Sequence, residues 1–137
     1  MGIREAFCYE PTTMTYAISI ESPRTPPKDR YRPKDSPLYT KVAYEFDDVW
    51  PGIESIKDVL FSEGLAERII REYSGQKENH EALLVHCARG KNRSPAVAMA
   101  LNEIFSLGHD SEELKARYKE ANWFVYETMI SVGRRIR

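Results

Sequence analysis

The stretch His86-Cys87-Ala88-Arg89-Gly90-Lys91-Asn92-Arg93-Ser94 puts a nucleophile, a guanidinium and a glycine within nine residues. It lies between a short apolar run, residues 82–85, and a long one, residues 94–107. The short run reads as a buried strand; the long one reads as a helix apolar nearly all round, hence buried. A chain that leaves a strand and enters a helix turns backbone N–H groups inward, and the helix dipole adds positive potential. That is an anion cradle. Gly90, in its middle, admits a backbone conformation that other residues resist. Arg93 adds a planar fork of donors that matches phosphate oxygens. A thiol beside a helix N-terminus and an arginine loses its proton easily. Cys87 is therefore predicted to be a thiolate under a tetrahedral oxyanion, suited to phosphoryl transfer to sulfur with no metal and no cofactor.

The elements that position this loop follow from pattern. Residues 15–20 alternate and carry β-formers, which predicts a strand, and residues 3–9 suggest another. Residues 40–46 predict a third strand, ending at Asp47-Asp48 before the turn signal Trp50-Pro51-Gly52. Leu65, Ala66, Ile69, Ile70 and Tyr73 share one face of a helix over residues 62–73, with Ser62 placed to cap it. Residues 75–81 read as a polar connection. Pro95 in the first turn and Gly108 just past the end frame the buried helix. Ser111 is placed to cap a further helix through about residue 118, and Asn122 begins a last helix to about residue 135. The order predicts an α/β domain: a central mixed, mostly parallel sheet flanked by helices, with the chemistry at the sheet's C-terminal edge.

One segment breaks the pattern. Residues 23–37 hold five of the eight prolines (Pro23, Pro26, Pro27, Pro33, Pro37) and a local charge excess of +3. Proline at that density blocks both helix and central strand. The segment is read as a long basic loop inside the domain, either a solvated surface loop or a flap over the substrate.

Composition sets the limits. At 137 residues the chain is read as one domain, residues 1–137, large enough to bury a core without disulfides or structural metal. With 20 basic residues against 21 acidic, it is not a non-specific nucleic-acid binder. Two cysteines, Cys8 and Cys87, cannot make a disulfide framework or a four-cysteine zinc site. Cys8 is read as a small hydrophobe, with a redox partnership to Cys87 as the alternative. No apolar run approaches a membrane span, and the N-terminus carries charges where a signal peptide has its apolar core. Ala6 stands where a myristoylation signal has Ser or Thr. The expected setting is soluble, reducing and cytoplasmic.

His86, Cys87, Gly90, Arg93 and Ser94 together resemble the signature of the cysteine-dependent protein tyrosine and dual-specificity phosphatases: His-Cys, five residues, Arg, then Ser or Thr. The compact size is closer to the small dual-specificity and atypical enzymes than to the larger tyrosine phosphatases. In element order the resemblance runs from about residue 16 to the end, and only the loop is residue-specific. It implies that Cys87 attacks phosphorus and forms a phosphocysteine. Arg93 binds the phosphoryl oxygens, and Ser94 hydrogen-bonds the sulfur and helps it leave. His86 supports the position and pKa of the cysteine. The backbone amides of Ala88, Arg89, Gly90, Lys91, Asn92 and Arg93 complete the cradle.

The resemblance also implies an upstream aspartic acid that protonates the leaving oxygen, following a strand. Asp48 has that context. Asp47 is its neighbour, and strand alternation puts the two side chains on opposite sides. Asp48 lies 39 residues before Cys87, where the resemblance implies about 30. Asp58, at 29, fits the spacing but sits just before a helix. The order of preference is Asp48, Asp47, Asp58.

The implied substrates are phosphate monoesters on protein: phosphotyrosine first, with phosphoserine and phosphothreonine. Arg89 and Lys91 add cations to the loop, which resembles the phosphoinositide phosphatases. Asn92 before the arginine resembles the RNA 5′-triphosphatase members, so nucleic acid enters only as an alternative substrate. A non-catalytic phosphate-binding module would be marked by loss of the cysteine or arginine, and both are present. A rhodanese-like sulfurtransferase fits the His-Cys start and Arg-Ser finish poorly.

Overall fold

The computed structural model describes residues 2, 9–30, 32–88 and 90–136. The predicted strand over residues 3–9, with Cys8, and the predicted cradle residue Arg89 lie outside the described residues, apart from Tyr9.

Three strands form one sheet: β1 (Thr15–Glu21), β2 (Tyr39–Glu45) and β3 (Ala82–His86), in the order β2-β1-β3. Both pairings are parallel, with Glu21 opposite Glu45 and Ser19 opposite His86. Parallel strands need a long crossover to bring the chain back to the same edge. From β2 to β3 that crossover contains helix α1 (Glu63–Gln76). From β1 to β2 it is the proline-rich segment, which among its described residues forms one 3-10 turn, Pro27–Asp29. The segment thus has a topological role: it spans the sheet where a helix usually would.

β1 forms where residues 15–20 predict a strand, and all seven of its residues are buried. As the middle strand it is covered on both faces, so its polar residues need partners. Ser19 Oγ lies 2.6 Å from His86 Nε2. Glu21 accepts from Arg30 Nη1 at 3.1 Å and Arg32 Nε at 2.6 Å. Burial raises the Glu21 pKa, but the bonds and charge of Arg32 and Arg30 outweigh it and hold the carboxylate below its usual range. Arg30 also binds Glu45 and the carbonyls of Thr25 and Pro23. So two arginines of the basic segment are consumed in fastening it to the ends of β1 and β2. They are not displayed as a free basic flap.

Helices α2 (Arg93–Phe105), α3 (Ser111–Arg117) and α4 (Trp123–Ile136) complete the described elements. Ser62 caps α1 as expected, its side chain accepting from Leu65 N–H. α1 runs on to Gln76 and continues as a 3-10 turn, Lys77–Asn79, where a polar connection was expected. α2 is buried on nearly every face, packing on β3 and α4. Its left-handed C-cap is Ser106 (φ 53), two residues before the expected Gly108. α3 is capped by Asp110, which accepts from Glu113 N–H, and Ser111 is its first helical residue. Asn122 caps α4 by accepting from Val125 N–H at 3.2 Å. Among the described residues no helix is long and apolar enough to cross a membrane.

Candidate active site

Parallel pairing brings the C-terminal ends of all three strands to one edge, where α/β sheets place their sites. The residues one step past those ends are Ser22, Phe46 and Cys87. Arg93, the first residue of α2, joins two of them: its Nη1 donates to Ser22 Oγ at 3.0 Å and to the Phe46 carbonyl at 2.8 Å. Both bonds fall on Nη1. Among the described residues none falls on Nε or Nη2, the edge that a bidentate oxyanion uses.

Cys87 is 3% exposed. Its Sγ lies 3.2 Å from Ser94 Oγ and accepts from the N–H groups of Gly90 at 3.3 Å and Ser94 at 3.4 Å. The sulfur thus sits directly on the N-terminal turn of α2. Gly90 reaches it through a left-handed backbone, φ 74, which an L side chain resists. Burial pushes the thiol pKa up, but the Ser94 hydroxyl, the two amides and the Arg93 charge outweigh it, and the net shift is downward. Such a sulfur is a ready nucleophile.

His86 is 1% exposed. Burial pushes its pKa down to about 4. In the unfolded chain the imidazole takes a proton near about 6.5. The fold's contribution from this group is therefore intact above that value and drains away as pH falls towards 4. The full loss is roughly 3 kcal/mol. Urea unfolding at pH 7 and at a pH near 4 should show the wild type losing roughly 2–3 kcal/mol more stability than His86→Gln. An equal loss in both proteins would contradict a neutral, buried His86.

The three candidate acids separate. Asp47 is 6% exposed; its Oδ2 accepts from Val59 N–H at 2.7 Å, and its own N–H donates to the Val59 carbonyl at 2.8 Å. It staples the neck of the loop over residues 49–58. Asp58 pairs with Arg24 at 2.7 Å and accepts from Ser55 N–H at 2.8 Å. The Ser55 amide leads in holding its pKa below the usual range, against slight burial and with Arg24 assisting. Asp48 is half-buried and accepts from Asn122 Nδ2 at 3.0 Å through Oδ1. Asp47 and Asp48 lie just past the end of β2, and their side chains have different partners, Val59 and Asn122.

Asn122 went unnoticed as a site residue in the sequence. Only 2% exposed, it donates from Nδ2 to Asp48 and to the Val49 carbonyl, and its N–H donates to the Asn92 carbonyl at 2.9 Å. It ties the candidate acid to the cradle loop. Its place at a helix start was legible, but its bonds to residues more than 70 positions upstream had no local signal. Ser22, which holds Arg93, had none either. Within the loop, Asn92 Nδ2 donates to the Glu120 carbonyl at 2.6 Å, so this side chain braces the cradle from outside. Ala88 and Lys91 are exposed.

The chain superposes on a mouse protein assigned as a dual specificity phosphatase and solved with zinc tungstate. The TM-score is 0.60 and the identity 16%, over 98% of this chain and 80% of that one. The fold is that of the dual-specificity phosphatases. The human tyrosine phosphatase-like serine/threonine/tyrosine-interacting protein matches at TM-score 0.51 and 16% identity, over 90% of this chain and 76% of that one. PTPMT1 in complex with PI(5)P matches at TM-score 0.51 and 11% identity, over 90% and 78%. No protein-family model matches the sequence, and no curated protein does. The likeness to the dual-specificity phosphatase fold is thus one of architecture, and Cys87, Arg93 and Ser94 meet at the strand edge of that architecture.

Proposed function

We propose that the chain is a cysteine-dependent phosphatase that hydrolyses phosphate monoesters, phosphotyrosine first and phosphoserine or phosphothreonine next. The observation that carries the reading is the Cys87 sulfur on the α2 N-terminus, held by Ser94 and Gly90 and close enough to Arg93 for its charge to lower the thiol pKa. In this reading the Cys87 thiolate attacks phosphorus as the ester oxygen leaves. Arg93 and the amides of residues 88–93 hold the three phosphoryl oxygens. Asp48 gives its proton to the leaving oxygen, which becomes the alcohol or phenol. A water then attacks the phosphocysteine, passing a proton to the Asp48 carboxylate, while Ser94 Oγ–H stabilises the departing thiolate. Inorganic phosphate leaves and Cys87 is restored.

Asp48 is favoured over its rivals by their engagements. Asp47 is committed to the loop neck, and Asp58 is held ionised. A phosphoinositide headgroup, as PTPMT1 is solved with, is also a phosphate monoester and falls within the same chemistry. A polyanion such as an RNA 5′-triphosphate has less support, because Arg30 and Arg32 are spent on Glu21 and Glu45 and Asn92 faces away.

The test is phosphate release from p-nitrophenyl phosphate in excess chelator. Activity should persist there, and vanadate should compete. Asp48→Asn should slow alkyl and aryl phosphates by about 10²–10⁴, with a smaller loss as the leaving group becomes more acidic. Asp47→Asn and Asp58→Asn should lack that leaving-group dependence. If Asp47→Asn shows it and Asp48→Asn does not, the acid is misassigned.

A further inference from the structure

Among the described residues, most of the large exposed apolar side chains gather in one short segment. Trp50 is 46% exposed, Ile53 54%, Ile56 100% and Val59 42%. All four belong to the loop that follows β2, whose residues 50–57 are exposed without interruption. Apolar residues scattered singly are ordinary on a surface, but four within ten positions of one loop are not. The loop turns twice, at residues 51–53 and 56–57. It is pinned at its base by the paired bonds between Asp47 and Val59, by Asn122 on Val49, and by Asp58 on Arg24. It is therefore a held protrusion whose tip is apolar. Its base belongs to the wall of the phosphate cradle, since Phe46 binds Arg93 and Asn122 binds both Asp48 and Asn92.

We propose that this loop is a bilayer-docking tip that seats the cradle on a lipid surface, so that its substrate is a phosphomonoester presented at the lipid–water interface. The proposal rests on the phosphatase reading above for its substrate, though not for its docking. Shape chooses the occupant. A peptide side chain is gripped by a concave pocket, whereas a fully exposed Ile56 beside Ile53 is a convex tip that a bilayer accommodates. Tryptophan favours the headgroup level, where one part of the ring is apolar and another is wet. Lys57 stands exposed next to Ile56 and Glu54 next to Ile53, so the tip carries no net charge and its docking is apolar in origin.

The experiment uses the full chain, phosphatidylcholine vesicles containing phosphatidylserine, and a double variant, Ile53→Ser with Ile56→Ser. Both positions are exposed, so the core is untouched. The wild type should sediment with the vesicles, and the variant should bind about a hundredfold more weakly. With phosphatidate as a minor vesicle component, kcat/KM on phosphatidate should fall in parallel, while turnover of p-nitrophenyl phosphate stays at the wild-type level. Failure of the wild type to sediment, or equal sedimentation of the variant, overturns the proposal. So does a variant whose loss falls on a phosphotyrosine peptide, which makes the loop a peptide-binding wall. A protein that sediments yet hydrolyses none of these substrates keeps the docking tip and overturns the phosphatase reading.

Discussion

Cys87→Ser protein should turn over p-nitrophenyl phosphate about 10⁵–10⁶ times more slowly than wild type, the scale on which removing a nucleophile acts. The sulfur is matched to its task by its surroundings. Two amides, the Ser94 hydroxyl and the Arg93 charge lower its pKa against the burial that raises it. A serine hydroxyl at the same place stays protonated, because the same donors cannot lower an alcohol's pKa far enough. The cradle itself survives the change: a serine oxygen can still accept from Gly90 and Ser94 N–H, and Arg93 is held by Ser22 and Phe46. Tungstate should therefore bind Cys87→Ser at least as tightly as wild type, since the thiolate that repels it is gone. Calorimetry on the two proteins separates these effects. Loss of tungstate binding together with turnover would mean that the substitution collapsed the loop.

Arg93→Lys should lower kcat/KM by about 10³–10⁴, within the range that arginines stabilising phosphoryl transfer supply. Charge is retained, so a purely Coulombic role predicts a small effect. Geometry predicts the large one. One nitrogen of Arg93 is engaged twice, by Ser22 Oγ and the Phe46 carbonyl. That double anchor fixes the guanidinium through Nη1 and leaves Nε and Nη2 for a phosphoryl group. An ammonium on a flexible stem cannot hold Phe46 and a phosphoryl oxygen pair together. Ser22→Ala removes one anchor and keeps the other, so its cost should be smaller, about tenfold. Steady-state kinetics on Arg93→Lys, Ser22→Ala and the pair give the comparison; a Ser22→Ala loss as large as that of Arg93→Lys would show that Ser22 does more than orient.

How far the sequence carries depends on the range of the forces involved. Ser62 as a cap, Asn122 as the start of a helix, the buried strand of residues 82–85 and the buried helix after it were legible, because capping and apolar periodicity are written within a few residues. The loop from His86 to Ser94 was legible for the same reason: nucleophile, glycine, arginine and helix start are adjacent. Residues 15–20 were legible as a strand, but not as the middle one buried throughout, because alternation does not reveal a strand's place in the sheet. Ser19 and Glu21 look outward-facing until His86, Arg30 and Arg32 are brought to them. The basic segment of residues 23–37 looked like a free loop because Glu21 and Glu45, which neutralise it, lie outside it. Asp110 displaced Ser111 as a cap by one position, a choice between two good capping residues that local propensity does not resolve. Asp48 stood ahead of Asp47 in sequence only by its place at the strand end. Their difference is made by Val59 and Asn122, one 12 residues away and the other 74.

In the proposed mechanism Cys87 carries the phosphoryl group covalently during turnover. A rapid acid quench during turnover of p-nitrophenyl phosphate, followed by proteolysis and mass spectrometry, reads it directly. The peptide that contains Cys87 should gain one phosphoryl group in wild type and in Asp48→Asn, and none in Cys87→Ser. Wild-type turnover with no such adduct, or a phosphoryl group on His86 in place of Cys87, would contradict the account.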